Sequence, residues 1–195
     1  MAVGLKCAID RLRVDAAVNS RREAPPNVNE PSPHAMPMDA LIKAKALASV
    51  FGSILRGRLY SNAFISCGPG FRPGRGFEMK APKRISVGAG FSTGRNVRLH
   101  AWQAYGSQEI KNTPVALIRI GSGVFINDNS YITAAFGIEI GDHCLIGSNV
   151  LITDNSHGET RLTTRPRRFE PLSSRGRIEI GENVWVCNNA VITSG

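Results

Sequence analysis

Aliphatic residues in the second half of the chain recur with a period of six, beginning at Val87. Each unit opens with Ile or Val, except for one that opens with Thr93, and most units carry Gly in second place. A period of six fits neither the 3.6-residue repeat of an amphipathic helix nor the two-residue alternation of a half-buried strand. The full units begin at Val87, Thr93, Ile120, Ile126, Ile132, Ile140, Ile146, Ile180 and Val186.

This periodicity is typical of a parallel β-helix, in which each hexapeptide unit forms one short strand and one turn. Three units make one triangular coil, and the coils stabilise one another by stacking. We therefore predict an all-β domain over residues 85–195. The first residue of each unit is expected to point inward, and Gly or Asn in second place is expected to provide unusual backbone angles at the corners. The side chains predicted to lie inside are those of Ile120, Ile126, Ile140, Ile146 and Ile180.

The residues before this domain divide into two segments. Residues 1–37 are polar and proline-rich, which predicts an irregular or disordered tail. Residues 38–84 contain a predicted helix at 39–57, whose apolar residues are spaced three or four apart, followed by a Gly/Arg-rich segment. Two interpretations of this helix remain open. It packs on the main domain or a neighbouring molecule, or its basic residues hold it on a membrane surface.

Charge and cysteine content limit the classes of partner and compartment. The formal net charge is +9, and residues 1–100 hold 16 Lys and Arg against 6 Asp and Glu. No basic groove interleaved with aromatic residues is visible, so we expect no nucleic-acid partner. Four widely spaced cysteines favour a reducing compartment, and the sequence shows no secretory signal and no transmembrane run. We expect a cytoplasmic protein, with contact at the inner face of the membrane as an open alternative.

One motif near the end of the repeats is more specific than the period itself. It runs Ile152-Thr-Asp-Asn-Ser-His157-Gly, continues through an extended loop, and ends in a further unit that contains Trp185. With this motif, residues 85–195 resemble the hexapeptide-repeat acyltransferases, most closely the branch of galactoside, maltose and polysaccharide O-acetyltransferases. The resemblance implies a left-handed parallel β-helix, a homotrimer with active sites between subunits, and acetyl-CoA as the acyl donor.

The resemblance also assigns candidate site residues. O-acetylation requires a base that removes a proton from a hydroxyl group, and imidazole, with a pKa near 6.5, is suited to this at neutral pH. His157 matches the family's catalytic His and is therefore expected to be the general base. Asn127 matches a residue that binds the acceptor, a sugar or polysaccharide precursor, although it equally fits a structural corner role. Trp185 matches a residue beside the donor, and the backbone N–H of Asn188 matches a hydrogen-bond donor to the acyl carbonyl.

Some features depart from the family pattern. Ala135 stands where relatives often carry an acceptor-binding carboxylate, and Cys187 stands where Gly is usual. The repeats stop inside a coil, whereas the related enzymes continue through further coils. A catalytically impaired scaffold and an N-acyl or nucleotide-sugar acyltransferase of the same fold therefore remain alternatives. We expect no metal, because the spacing of His143 and His157 does not match the three-His zinc enzymes of this fold.

Overall fold

A computed structural model describes residues 38–110, 113–158 and 166–194. The predicted tail at residues 1–37 lies outside these ranges. The described residues form one α-helix, α1 (Met38–Tyr60), short 3-10 turns at Ser61–Ala63, Pro82–Arg84 and Arg167–Phe169, and a series of short strands. In chain order the strands are β1 (Ser66–Cys67), β2 (Glu78–Lys80), β3 (Ile85–Val87), β4 (Ser92–Thr93), β5 (Arg98–Ala101), β6 (Ala104–Tyr105), β7 (Gln108–Glu109), β8 (Ile118–Ile120), β9 (Phe125–Ile126), β10 (Tyr131–Ala134), β11 (Ile138–Ile140), β12 (Leu145–Ile146), β13 (Leu151–Thr153), β14 (Ser156–His157), β15 (Leu172–Ser173), β16 (Ile178–Ile180), β17 (Trp185–Val186) and β18 (Val191–Thr193).

Most of these strands lie in three parallel sheets, which the chain visits in rotation. Sheet A has the order β1-β3-β8-β11-β16, sheet B the order β4-β9-β12-β17, and sheet C the order β2-β5-β10-β13-β18. We call one passage through sheets A, B and C a coil. The described residues make five coils, and in the first of them a single bridge from Arg72 to Ser92 stands in for the strand of sheet B.

The aliphatic first residues of the units stack on one another between coils, as the sequence predicts. Ile120 pairs with Ile140, which pairs with Ile180, and Ile126 pairs with Ile146. Ile120, Ile126, Ile140 and Ile146 are buried, which confirms their predicted positions. Ile180 is only half-buried, because it belongs to the last described coil and is covered by a neighbouring coil on one side only.

The prediction that the second residue of each unit supplies the unusual backbone angles is wrong. Positive φ angles occur at the fourth residue, for example at Asn129 (60°) and Asn189 (60°), where Asn tolerates the left-handed conformation. Gly in second place has a different cause, because the next coil lies directly against it. A Cβ on Gly88 would lie 2.5 Å from the backbone nitrogen of Ser122, and one on Gly141 would lie 2.6 Å from that of Glu182.

The stack of coils begins well before the predicted boundary at residue 85. Strand β1 pairs with β3, and β2 pairs with β5, so the Gly/Arg-rich segment forms the first coil. Phe71 and Phe77 of this coil are buried, and the Phe71 ring stacks on that of Phe91 at 5.5 Å between centroids. Periodicity of aliphatic residues does not reveal these units, because they open with Cys67 and Pro73. Their Gly-x-Gly-Phe pattern, repeated in the unit that opens with Val87, is the signal that identifies them.

Helix α1 confirms the predicted helix and extends it at both ends. It touches the first coil near its carboxyl end, where Gly57 is buried and a Cβ would lie 2.0 Å from the carbonyl oxygen of Phe71. Arg56 Nε also donates to the carbonyl oxygen of Pro73 at 3.2 Å. Most apolar side chains of α1 are exposed, including Leu47 and Phe51. In the described part of the chain, no helix combines the length and apolarity needed to cross a membrane.

Candidate active site

Two inserts leave the stack of coils at the same corner, where the chain passes from sheet C to sheet A. The first insert connects β5 to β8 and contains the antiparallel hairpin β6–β7. The second connects β13 to β16 and contains the antiparallel pair β14–β15. The third coil makes the same passage by a short turn at residues 135–137, so the two inserts lie on either side of this turn.

Gln108 and Tyr105 of the first insert bind the backbone of the second. Gln108 Nε2 donates to the carbonyl oxygen of Leu172 at 3.1 Å, and Gln108 Oε1 accepts the N–H of Leu172 at 2.7 Å. The Tyr105 hydroxyl donates to the carbonyl oxygen of Arg168 at 2.9 Å. A small apolar cluster of Ile110, Ala135 and Leu172 packs beneath these bonds. The inserts therefore form one unit at this corner.

A buried carboxyl group holds the turn between the inserts. Asp154 is fully buried, and its oxygens accept the backbone N–H groups of Ala135 and Phe136 at 2.8 Å and that of Gly137. The Asn155 side chain donates a further hydrogen bond to it at 3.0 Å. Because buried N–H groups without an acceptor are costly, Asp154 stabilises the turn from the next coil. Asp154 therefore ties the turn of the third coil to the start of the second insert.

His157 lies at the junction of the inserts, on β14, and its side chain is exposed. Backbone pairing with Leu172 fixes its strand, and its imidazole ring lies against the Tyr105 ring at 4.8 Å between centroids. The next residue, Gly158, is buried with φ +71°, and a Cβ there would lie 2.9 Å from the Cβ of Glu170. The Gly158 N–H donates to the carbonyl oxygen of Pro171 at 2.9 Å. The backbone on both sides of His157 is thus held, while its imidazole ring faces solvent.

The other predicted site residues lie at a different corner, where sheet B passes to sheet C. Asn127 follows β9 in the third coil, Trp185 lies on β17 in the fifth coil, and Asn188 follows β17. Trp185 is 71% exposed, and Asn188 Oδ1 accepts the N–H of Ser148 at 2.8 Å. His157 follows the opposite end of a sheet C strand. The structure of one chain therefore does not bring His157 together with Asn127, Trp185 or Asn188.

Asn127 also has a structural role at its corner. Its Oδ1 accepts the N–H of Asp128 at 2.9 Å, and its φ is not in the left-handed region, which belongs to Asn129. The N–H of Arg95 donates to the Asp128 carboxylate, and this hydrogen bond, with help from the Arg95 side chain, lowers the pKa of Asp128 below its ordinary value. Asn127 therefore lies next to a carboxylate, that of Asp128, which is already paired with Arg95.

The remaining described histidines have structural surroundings. His143 occupies a left-handed turn position with φ 58°, and the same position in the neighbouring coils holds Gly123 and Asn183, both of which also have positive φ. His100 hydrogen-bonds Glu78 Oε1 at 3.0 Å and the Tyr131 hydroxyl at 2.9 Å. Among the described residues, no three His, Cys, Asp or Glu side chains come together in a way that would hold a metal ion.

Sequence reasoning missed Tyr105, Gln108 and the structural role of Asp154. The first insert has no repeat, so its aromatic and amide residues carry no periodic signal in the sequence. Asp154 was visible as part of the His157 motif, and a carboxylate directly after a buried strand is a signal for binding nearby backbone N–H groups.

Comparison with known families gives one match. A model for the hexapeptide repeat of succinyl-transferase matches residues 117–154. The chain carries hexapeptide repeats of the acyltransferase type. These hexapeptide repeats correspond to β8–β13, the third and fourth coils, and end at Asp154, the carboxylate that holds the 135–137 turn. No match was found among curated proteins or among solved structures. The repeats indicate acyl transfer in general.

Proposed function

We propose that the protein is an O-acetyltransferase that moves an acetyl group from acetyl-CoA to a hydroxyl group of a sugar or polysaccharide precursor. One observation carries the proposal. An exposed histidine, His157, is fixed beside a stack of acyltransferase-type hexapeptide repeats by backbone pairing to Leu172 and by contact with Tyr105. Three parallel sheets visited in rotation are consistent with the left-handed β-helix that we propose for the coils.

In the proposed reaction, His157 is the general base. Its unprotonated ring nitrogen accepts the proton of the acceptor hydroxyl as the hydroxyl oxygen attacks the thioester carbonyl carbon. The carbonyl oxygen becomes negatively charged, and the backbone N–H of Asn188 is the group proposed to stabilise it. The carbon–sulfur bond then breaks, and the proton passes from His157 to the departing thiolate, which leaves as coenzyme A.

This assignment requires a second copy of the chain. His157 and Asn188 lie at different corners of the coils in one protomer, so one chain alone does not place base and carbonyl-binding group together. In a closed cyclic assembly each chain presents its sheet B to sheet C corner to the next chain's inserts. We propose a homotrimer with three such shared sites, and we place Trp185 beside the donor and Asn127 beside the acceptor.

The location in the cell follows from the proposed substrates. Acetyl-CoA and precursors of surface polysaccharides meet in the cytoplasm, and we propose this compartment for the protein. Contact of α1 with the inner face of the membrane is part of the same proposal, since the helix carries Lys43, Lys45, Arg56 and Arg58 beside exposed apolar residues.

The test compares two histidine substitutions of the same kind. His157→Asn removes the proposed base, whereas His143→Asn places at a left-handed position the residue type that the fifth coil carries there, Asn183. Release of coenzyme A thiol from acetyl-CoA is measured with a panel of neutral, acidic and amino sugars, together with transfer of labelled acetyl to the sugar.

His157→Asn should reduce kcat by about 10²–10⁴-fold, as is typical for loss of a general base, with unchanged assembly and melting temperature. His143→Asn should retain the unsubstituted rate. Equal activity of both variants, or formation of an N-acetylated product in place of an ester, would contradict the proposal.

A further inference from the structure

An unbroken row of aromatic rings crosses the outer surface of sheet C and ends at His157. It begins at Tyr131 and passes through His100 (4.9 Å between centroids), Trp102 (6.4 Å) and Tyr105 (6.1 Å) to His157 (4.8 Å). We call these five residues the aromatic row. Four of them are partly buried and His157 is exposed, so the row presents ring surface to solvent along its length.

Hydrogen bonds fix four of the five rings, those of Tyr131, His100, Trp102 and Tyr105. Trp102 Nε1 donates to Thr133 Oγ1 at 2.8 Å, and His100 is held between Glu78 and Tyr131. The Tyr105 hydroxyl is bound to the second insert. Rings that are immobilised before a ligand arrives lose little conformational entropy on binding, which favours a binding surface over a flexible patch.

Cations lie on the faces of these rings. Lys80 Nζ lies 3.6 Å from the centroid of Trp102, and the Arg98 guanidinium lies 4.4 Å from that of Tyr131. A third pair, Arg168 on Phe169 at 4.4 Å, lies beside the end of the row, where Arg168 accepts the Tyr105 hydrogen bond. Within the described ranges these are the cation–π pairs found, and all of them adjoin the row.

A groove of about 370 Å³ opens at the His157 end of the row, between the two hairpins. Tyr105, Gln108, Phe169 and Glu170 are among its lining residues. Glu170 Oε1 is buried and has no hydrogen-bond partner within the described part of the chain. A buried acceptor of this kind is costly unless a donor such as a hydroxyl group reaches it.

We propose that the aromatic row binds an acidic saccharide of more than one sugar unit and directs a hydroxyl group of its end to His157. Sugar rings have apolar C–H faces that pack on aromatic rings, and carboxylate or phosphate substituents pair with Lys80 and Arg98. Five successive rings extend further than one monosaccharide. This inference rests on the proposed function, and it identifies the class of acceptor for that site.

The position of the row distinguishes it from the proposed donor site. Apart from His157, which lies in the second insert, its residues lie in the second and third coils and the first insert, and Glu78 and Lys80 come from the first coil. Trp185 and Asn188, proposed for acetyl-CoA, lie in the fifth coil. The acceptor and the donor would therefore approach His157 from opposite ends of the stack. Both could bind at the same time without steric overlap.

The test measures binding directly and does not depend on acetyl transfer. Isothermal titration calorimetry of the full chain uses tetragalacturonate and a glucuronate-containing hyaluronan tetrasaccharide as acidic probes, and maltotetraose as the neutral one. In a Trp185→Phe background Trp102 is the remaining tryptophan, so its fluorescence reports contact at the row. Variants are Trp102→Ala, Lys80→Met and, as a charge-matched control away from the row, Arg119→Met on sheet A.

At least one acidic probe should bind the unsubstituted chain and change Trp102 fluorescence. Trp102→Ala should weaken this binding about tenfold, Lys80→Met several-fold, and Arg119→Met should have no effect. Lys80→Met keeps the Trp102 ring and so remains informative if Trp102→Ala does not fold. Equal binding of maltotetraose, unchanged binding in both row variants, or binding of adenosine 3′,5′-bisphosphate in place of saccharide would overturn the inference. Intact saccharide binding without acetyl transfer would instead count against the proposed function alone.

Discussion

The repeat coils are stabilised by contacts that recur from one coil to the next, whereas the two inserts are stabilised by contacts that each occur once. In the coils the same contact recurs at every level, as when Ile120, Ile140 and Ile180 pair in succession. In the inserts each contact occurs once, as when Gln108 binds the backbone of Leu172 through both ends of its amide. The coils thus provide a rigid frame with little chemistry, and the inserts place His157 on that frame. The predictions below test this division from its largest expected effect to its smallest.

A charge inside the coils should have the largest effect. Ile140→Asp places a carboxyl group in a fully apolar stack, and we expect a loss of more than about 4 kcal/mol in the free energy of unfolding. Chemical denaturation followed by circular dichroism measures it. Ile140→Val, which removes one methyl group, should cost about 1 kcal/mol. A chain that tolerates Asp at this position would contradict the inward stacking.

Loss of the Asp154 carboxylate should have the second-largest effect on stability. Asp154→Asn directs an amide NH₂ at backbone N–H groups of the 135–137 turn, and we expect a loss of about 2–4 kcal/mol because buried donors lose their acceptor. Hydrogen exchange of Ala135 and Phe136 amides should accelerate, whereas amides of β4 and β9 should not. Uniform acceleration of exchange across all coils would show that Asp154 supports the whole stack. That result would contradict the separate stabilisation of the coils and the inserts.

The two regions also differ in how far the sequence predicts them. A coil residue such as Ile126 pairs with a residue at the same place of the six-residue unit in the next coil. Periodicity alone therefore predicts that its side chain lies in the interior of the stack. Tyr105 meets His157 from a separate insert, more than fifty positions earlier in the chain, and no local pattern encodes that contact. The first coil illustrates an intermediate case, because its Gly-x-Gly-Phe units obey the period while their first residues do not. The resemblance to a family pointed to His157, but its supporting residues required the structure.

A single bond between the inserts should have a smaller effect. Tyr105→Phe keeps the ring against His157 and removes the hydrogen bond to Arg168, and we expect a loss of about 1 kcal/mol. Thermal denaturation measures the change. Acetyl transfer should stay within about threefold of the unsubstituted rate, since the ring contact persists. A loss of activity as large as that of His157→Asn would assign the hydroxyl a chemical role that this account does not give it.

Acid should produce the smallest effect, at the exposed sheet B to sheet C corner. Because Arg95 lowers the pKa of Asp128 in the folded chain, the pair stabilises the fold above the ordinary Asp pKa. This contribution is lost as the pH falls through the lowered value. An exposed pair of this kind contributes below about 1 kcal/mol. Denaturation curves of Asp128→Asn and the unsubstituted chain should differ at pH 7 and converge near pH 2, and a difference that grows with acid would have the wrong sign.

The central claim is that each site is completed by the coils of one chain and the inserts of another. Complementation between two inactive variants tests this claim most directly. His157→Ala lacks the proposed base. Asn188→Pro lacks the proposed N–H donor, at the third place of a unit where Pro69 already stands in the first coil. Random mixed trimers of the two should recover acetyl transfer at about one quarter of the unsubstituted rate, because half of the sites retain each group independently. Mixed trimers as inactive as either variant alone would show that the site is built within one chain or is not built from these residues.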